Sequence, residues 1–208
     1  MQQEVVPVKH PPIQGKGEFT MNGFCKIKAA AAFAVAGGLV LAAAVGASRA
    51  QDMPFGGEAD VAYAAQLWQQ MEQARLVGNN AVRVRPFEGN EPHGTIQEVV
   101  ATTATLNGHS GRLLVKRNHG GKEDLTVAEV YDNPTEYLAA ITIMFKREAG
   151  YDEDNQNWFW AKYAPDGSLD KTPNGAQMAG RVAKGMAEGC IACHTSTGGA
   201  DLEVLTTK

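Results

Sequence analysis

The chain predicts an α+β fold: an antiparallel β-meander with an N-terminal helix and a C-terminal helix that leads into a cysteine motif. Three observations predict it. An apolar stripe of helical period runs from Asp60 to Leu76. Five short segments rich in Val, Ile, Thr and aromatics follow, separated by turn residues. The helical period then returns from Gln177 to Gly189.

The first helix has Asp60 as its N-cap candidate and Gly78 as its stop. Val61, Ala64, Ala65, Trp68 and Met71 fall on one face. The strand segments are Thr95 to Leu106, Arg112 to His119, Leu125 to Asp132, Ala139 to Arg147 and Trp158 to Tyr163. Asn107-Gly108, Gly120-Gly121, Asp132-Asn133-Pro134, Gly150 and Pro165-Asp166-Gly167 punctuate them, and Asn133 to Leu138 reads as one helical turn. In the last helix Met178, Val182, Met186 and Cys190 recur every four residues and share a face.

The start of the chain reads as a targeting segment. From Met21 a basic stretch precedes an apolar run, Ala29 to Ala47, and Ser48-Arg49-Ala50 supplies small residues for a cut after Ala50. This is the pattern of a secretory signal peptide, with Met21 as the start, and it places the product in the periplasm. An uncleaved anchor is the alternative, since the run is about long enough to span a bilayer. Residues 51–208 then form one domain. The first 50 residues hold five basic and two acidic side chains out of 19 and 23, which leaves 14 basic against 21 acidic and a net charge of −7. Phosphate backbones repel such a surface, which excludes nucleic acid as a partner, whereas a basic periplasmic redox partner suits it.

Cys25 falls in the targeting segment, so Cys190 and Cys193 remain and no disulfide scaffold is expected. They belong to Gly189-Cys190-Ile191-Ala192-Cys193-His194, a C-x-x-C-H motif. In that motif two thiols bind the vinyl groups of one haem c and the adjacent His194 ligates its iron. A zinc half-site would need further Cys or His ligands, but His93, His109 and His119 are scattered. A thioredoxin-like pair would precede a helix in a βαβ unit. Fourteen residues follow His194, without Met or His, and Lys208 is the last of them. Met186 lies on the same helix on the side of His194. The expectation is therefore a five-coordinate, high-spin iron suited to small ligands, with any sixth ligand drawn from the sheet. The alternative is a non-catalytic electron carrier or gas-binding cytochrome.

These residues carry a resemblance. Pro92-His93-Gly94, Gly111 to Lys116, Met144 to Arg147 with Gly150-Tyr151-Asp152, Trp158-Phe159-Trp160 and Gly189 to His194 occur in the order seen in the cytochrome P-460 family, which includes the cytochromes c-prime-beta. The resemblance spans about residues 80 to 200. It implies a homodimer whose haem has a distal face covered by the sheet and which binds nitric oxide or carbon monoxide, or oxidises hydroxylamine. In the hydroxylamine-oxidising members a lysine is crosslinked to the haem edge, and Lys116 is the candidate here. The residue-level alternative for Lys116 is a snorkelling edge lysine. This chain departs from the family at Asp201 to Leu205, where an aromatic-containing run is usual. Met144 and Phe145 point to opposite faces of one strand, so only one can face the haem. Trp158 and Trp160 read as sheet core, Arg117 and Arg147 as surface residues, Lys146 as a weaker lysine candidate and His93 as a turn residue or a pocket residue.

Overall fold

A computed structural model of the chain describes residues 54–205. The segment read as a signal peptide, with Met21, Cys25 and the expected cut after Ala50, lies outside the described residues. The elements run α1 (Glu58–Gln73), β1 (Phe87–Glu88), β2 (Ile96–Leu106), β3 (His109–His119), α2 (Val127–Asp132), β4 (Leu138–Lys146), β5 (Trp158–Tyr163), β6 (Ala179–Gly180) and α3 (Cys190–Thr197). The six strands form one antiparallel sheet in chain order, the expected meander.

The meander follows from its turns. Asn107 and Gly108 both adopt positive φ, 51° and 80°, the conformation of a two-residue turn that matches strand twist. That turn joins β2 and β3 in an unbroken eleven-residue register from Leu106↔His109 to Ile96↔His119. Alternation then sorts the side chains. Leu113, Val115, Ile141, Ile143, Phe145 and Phe159 point to one face, where Ala64, Leu67, Trp68 and Met71 of α1 bury against them. Leu114, Met144, Trp158 and Trp160 point to the other, under Val182, Ile191 and Leu202. The sheet is thus covered on both sides, by α1 and by the C-terminal segments.

Local details differ from the sequence reading. Helix α1 begins after Gly57, not at Asp60, and buries Leu67 where the stripe was drawn through Ala65. Asp60 sits inside the first turn, and burial raises its carboxyl pKa. The segment Leu125 to Asp132 is not a strand. Thr126 and Glu129 close a reciprocal capping box that starts α2. The helical turn therefore falls before Asn133, and β4 starts at Leu138.

The C-terminal helix is present, but it carries the motif in its first turn instead of preceding it. Ala179 and Gly180 pair with Ala161 and Trp160 of β5. Gly180, Ala183, Gly185 and Gly189 all take positive φ, which no α-helix tolerates. A Cβ at Gly180 would lie 2.4 Å from a carboxylate oxygen of Asp60, so only glycine lets this segment reach the sheet. Met186 is consequently 52% exposed and shares no helix with His194.

Candidate functional site

Helix α3 brings the three motif residues together. Cys190 opens it, half-buried, Cys193 is exposed one turn on, and both are free thiols. The third, His194, is buried. Its Nδ1 lies 2.7 Å from the carbonyl oxygen of Leu202. A carbonyl only accepts, so Nδ1 carries the proton and Nε2 keeps its lone pair. Burial lowers the His194 pKa and holds the ring neutral, against the opposing pull of the Leu202 carbonyl. A neutral imidazole with a fixed tautomer is a metal ligand held ready by its outer partner.

Three segments fix that partner. Gly198 ends α3 and packs so tightly that an added Cβ would lie 2.5 Å from the Leu202 carbonyl carbon. Leu202 itself takes φ 59°, and its side chain is buried beside Met144 and the two tryptophans. Trp158 donates its Nε1–H to the Asp201 carbonyl at 2.8 Å. The Asp201 to Leu205 run, free of aromatics, serves here through its backbone.

Beside His194 opens a cleft of about 440 Å³ lined by His93, Asn118, Thr142, Lys162, Cys190 and Cys193 among others. A second recess of about 250 Å³ shares His93, Cys193 and His194 and adds Lys116 and Val204. Apolar walls complete it: Leu114, Met144 and Trp160 meet His194 and Cys190. The Trp160 ring lies 4.8 Å from that of His194, at 70°. Its Nε1–H is buried without a hydrogen-bond partner among the described residues.

Alternation places Lys116 in this site. Lys116 shares the face of Leu114, and in register it stands beside Thr142 of β4, which stands beside Lys162 of β5. It is 6% exposed, on an interior strand, so the snorkelling-edge reading does not hold. Burial lowers its pKa, and the described residues offer its ammonium no hydrogen bond or ion pair. Met144 faces the site and Phe145 faces α1. Trp158 and Trp160 are core residues, as expected, but their face is the site's wall.

The other candidates lie elsewhere. Arg117 is buried on the α1 side, paired with Glu98 at 3.0 Å. Arg147 stacks over Tyr63 at 3.9 Å and Tyr151 at 4.5 Å. Lys146 covers the Trp158 ring, His109 contacts the Lys146 carbonyl, and His119 contacts Glu98. Of the other three described histidines, His119 borders the far part of the cleft and His93 meets the His194 ring. Its ring centroid is 6.0 Å from that of His194, with the planes at 84°. Burial, with Lys116 and His194 nearby, lowers its pKa to about 4.

No family model, curated protein or solved structure matches the chain. Leu114 and Lys116 of β3, Met144 of β4, Trp160 of β5 and His93 from the loop before β2 border one recess with His194, while Tyr151 packs on the α1 side.

The donor set fits a covalently held haem. Two free thiols and a neutral imidazole with an available Nε2 leave one helical turn beside a cleft with apolar walls. The alternatives fit less well. A reactive redox thiol has a depressed pKa, whereas burial raises that of Cys190. A zinc centre needs converging ligands, and among the described residues no three Cys, His, Asp or Glu side chains come together for a metal ion.

Proposed function

We propose that the chain is a periplasmic mono-haem c-type protein that binds or transforms a small nitrogen-oxide ligand, nitric oxide or hydroxylamine, at its iron. The observation that carries this reading is the turn of α3 that presents Cys190, Cys193 and the Leu202-anchored His194 to the cleft. Each thiol adds across a vinyl group: sulfur bonds to one carbon, the thiol hydrogen goes to its neighbour, and nothing is lost. His194 would hold the iron through its Nε2, the nitrogen that the Leu202 tether leaves unprotonated. When bound, the haem supplies the iron that takes the ligand nitrogen and exchanges electrons with a periplasmic partner.

The chain's own residues shape the rest. Leu114, Met144 and Trp160 exclude water from the wall of the cleft. The incoming molecule would be taken up on the side of the haem away from His194. Lys116, buried and unpaired at the same wall, supports the haem-edge role that the P-460 resemblance implies, and with it hydroxylamine oxidation. A homodimer is part of the same proposal. The rival reading, an electron carrier, requires an iron inert to added ligands.

One preparation tests the proposal. Protein made with a c-type maturation system should retain haem stain on a denaturing gel, and Cys190→Ser with Cys193→Ser should not. Nitric oxide added to the reduced protein should change its optical spectrum. A wild-type chain that carries zinc and no haem would overturn the reading.

A further inference from the structure

We infer that His93 is a displaceable second axial ligand, closing the iron in the resting protein and giving way to the incoming molecule. The inference rests on the haem reading and deepens it. Two imidazoles bound on opposite sides of one metal have a predictable spacing. Metal–nitrogen bonds of about 2.0–2.1 Å, and about 1.1 Å from nitrogen to ring centre, put the centroids roughly 6.3 Å apart. The centroids of His93 and His194 are 6.0 Å apart and their planes are at 84°. A bound exogenous molecule between His93 and the metal would need more room than that.

The rings are also tethered alike. His194 is held through Nδ1 by the Leu202 carbonyl at 2.7 Å. His93 is held through Nδ1 by the Thr142 hydroxyl at 3.4 Å, and Asn118 Nδ2 donates to that hydroxyl at 3.1 Å. Ligation through Nε2 uses the tautomer in which His93 Nδ1–H donates to that hydroxyl, whose two lone pairs can accept from both groups. With Nδ1–H so used, His93 also has Nε2 free. The contrast in length matters: a tight tether on His194 and a long one on His93 make His93 the ring that lets go.

The loop under His93 suits a gate. The His93 N–H closes a turn on the Asn90 carbonyl at 3.0 Å. Gly94 follows at φ 86°, where a Cβ would lie 2.5 Å from the His119 carbonyl oxygen. The loop is thus seated on the end of β3 at one glycine and lined on its inner side by cleft. Release of His93 needs only this short loop to move, while the sheet stays in place.

The test uses the holoprotein. Wild type should be low-spin in electron paramagnetic resonance and optical spectra without added ligand. After reduction, the rate of carbon monoxide uptake should level off as its concentration rises, because His93 release becomes limiting. His93→Ala should be high-spin, take up carbon monoxide in proportion to concentration, and regain the low-spin spectrum with free imidazole. Gly94→Ala, which leaves the imidazole in the chain, should raise the plateau rate. A high-spin wild type, or a low-spin His93→Ala, overturns the inference while leaving the haem reading intact. A chain without haem sinks the reading itself.

Discussion

His194 is tethered to Leu202 from Nδ1 to carbonyl oxygen at 2.7 Å, and Gly198 is what lets them meet. A methyl group at position 198 would press on the Leu202 carbonyl carbon at 2.5 Å and its oxygen at 2.6 Å. The backbone at Gly198 has φ −88°, so alanine there is strained by contact and not by conformation. Gly198→Ala should therefore push the carbonyl off Nδ1. In the haem-bound protein proposed above, a weaker outer hydrogen bond would make the imidazole a poorer donor and stabilise the oxidised iron less. The expected outcome is a higher midpoint potential and a lower iron–histidine stretching frequency. Unchanged values for both would show that the tether does not tune the metal.

Lys116 is the residue on which enzyme and binder part. Its ammonium is buried and unpaired, and burial favours the neutral amine. Peptide mass spectrometry of mature protein should find a third covalent link, between haem and the peptide bearing Lys116, if the hydroxylamine-oxidising likeness holds. Lys116→Ala should then keep both thioethers and lose that link. Two thioethers alone in the wild type would move the protein to the c-prime-beta side.

Met144 and Phe145 are neighbours with opposite loyalties. Phe145 is fully buried against α1, so Phe145→Ala should cost about 3–5 kcal/mol of stability and leave the haem spectrum alone. Met144→Ala should shift the spectrum or the ligand-binding rate at a cost of about 2–5 kcal/mol. Denaturant titrations read one effect and absorption the other. Equal spectral effects from both variants would contradict the two-faced sheet.

Glu148 gives a test in acid. Its pKa is lowered to about 2, first by its hydrogen bonds with Arg147. A carboxyl with a depressed folded pKa stabilises the fold above its unfolded pKa, near 4.5, and loses that contribution as pH falls through the folded value. Glu148 is exposed although Arg147 is half-buried, so solvent screening holds the effect to about 0–1 kcal/mol. Thermal midpoints of wild type and Glu148→Gln should differ at pH 6 and converge towards pH 2. A gap that widens in acid would reverse the sign.

The sequence disclosed the sheet wherever a run was long enough to alternate. β2 to β5 and the division between Leu114 with Lys116 and Leu113 with Val115 followed from period two alone. β1 and β6 are two residues each, too short to carry a period, and they form because neighbouring strands offer hydrogen bonds. In α2 the β-branched residues Val127 and Val130 pointed to strand, while Thr126-x-x-Glu129 spelled a helix start and was the better guide. From Gln177 to Gly189 four-residue spacing imitated a helix, but Gly180, Gly185 and Gly189 were the stronger signal. At the site, the C-x-x-C-H motif declared its three residues locally. His93 had no such signal. Its approach to His194 across a hundred residues exists only once the meander has formed, and so does the Leu202 tether.

The chain-order meander also has a kinetic side. Each strand pairs with its predecessor, so sheet formation closes short loops, which is fast. The site instead joins a loop before β2 to residues beyond β6, about a hundred residues along the chain, and these contacts wait for the sheet. Pulse-labelled hydrogen exchange during refolding should protect amides of β3 and β4 before those of α3. If so, the cysteines remain reachable on a surface whose receiving wall is already built, and the order of folding leaves a natural interval for modification.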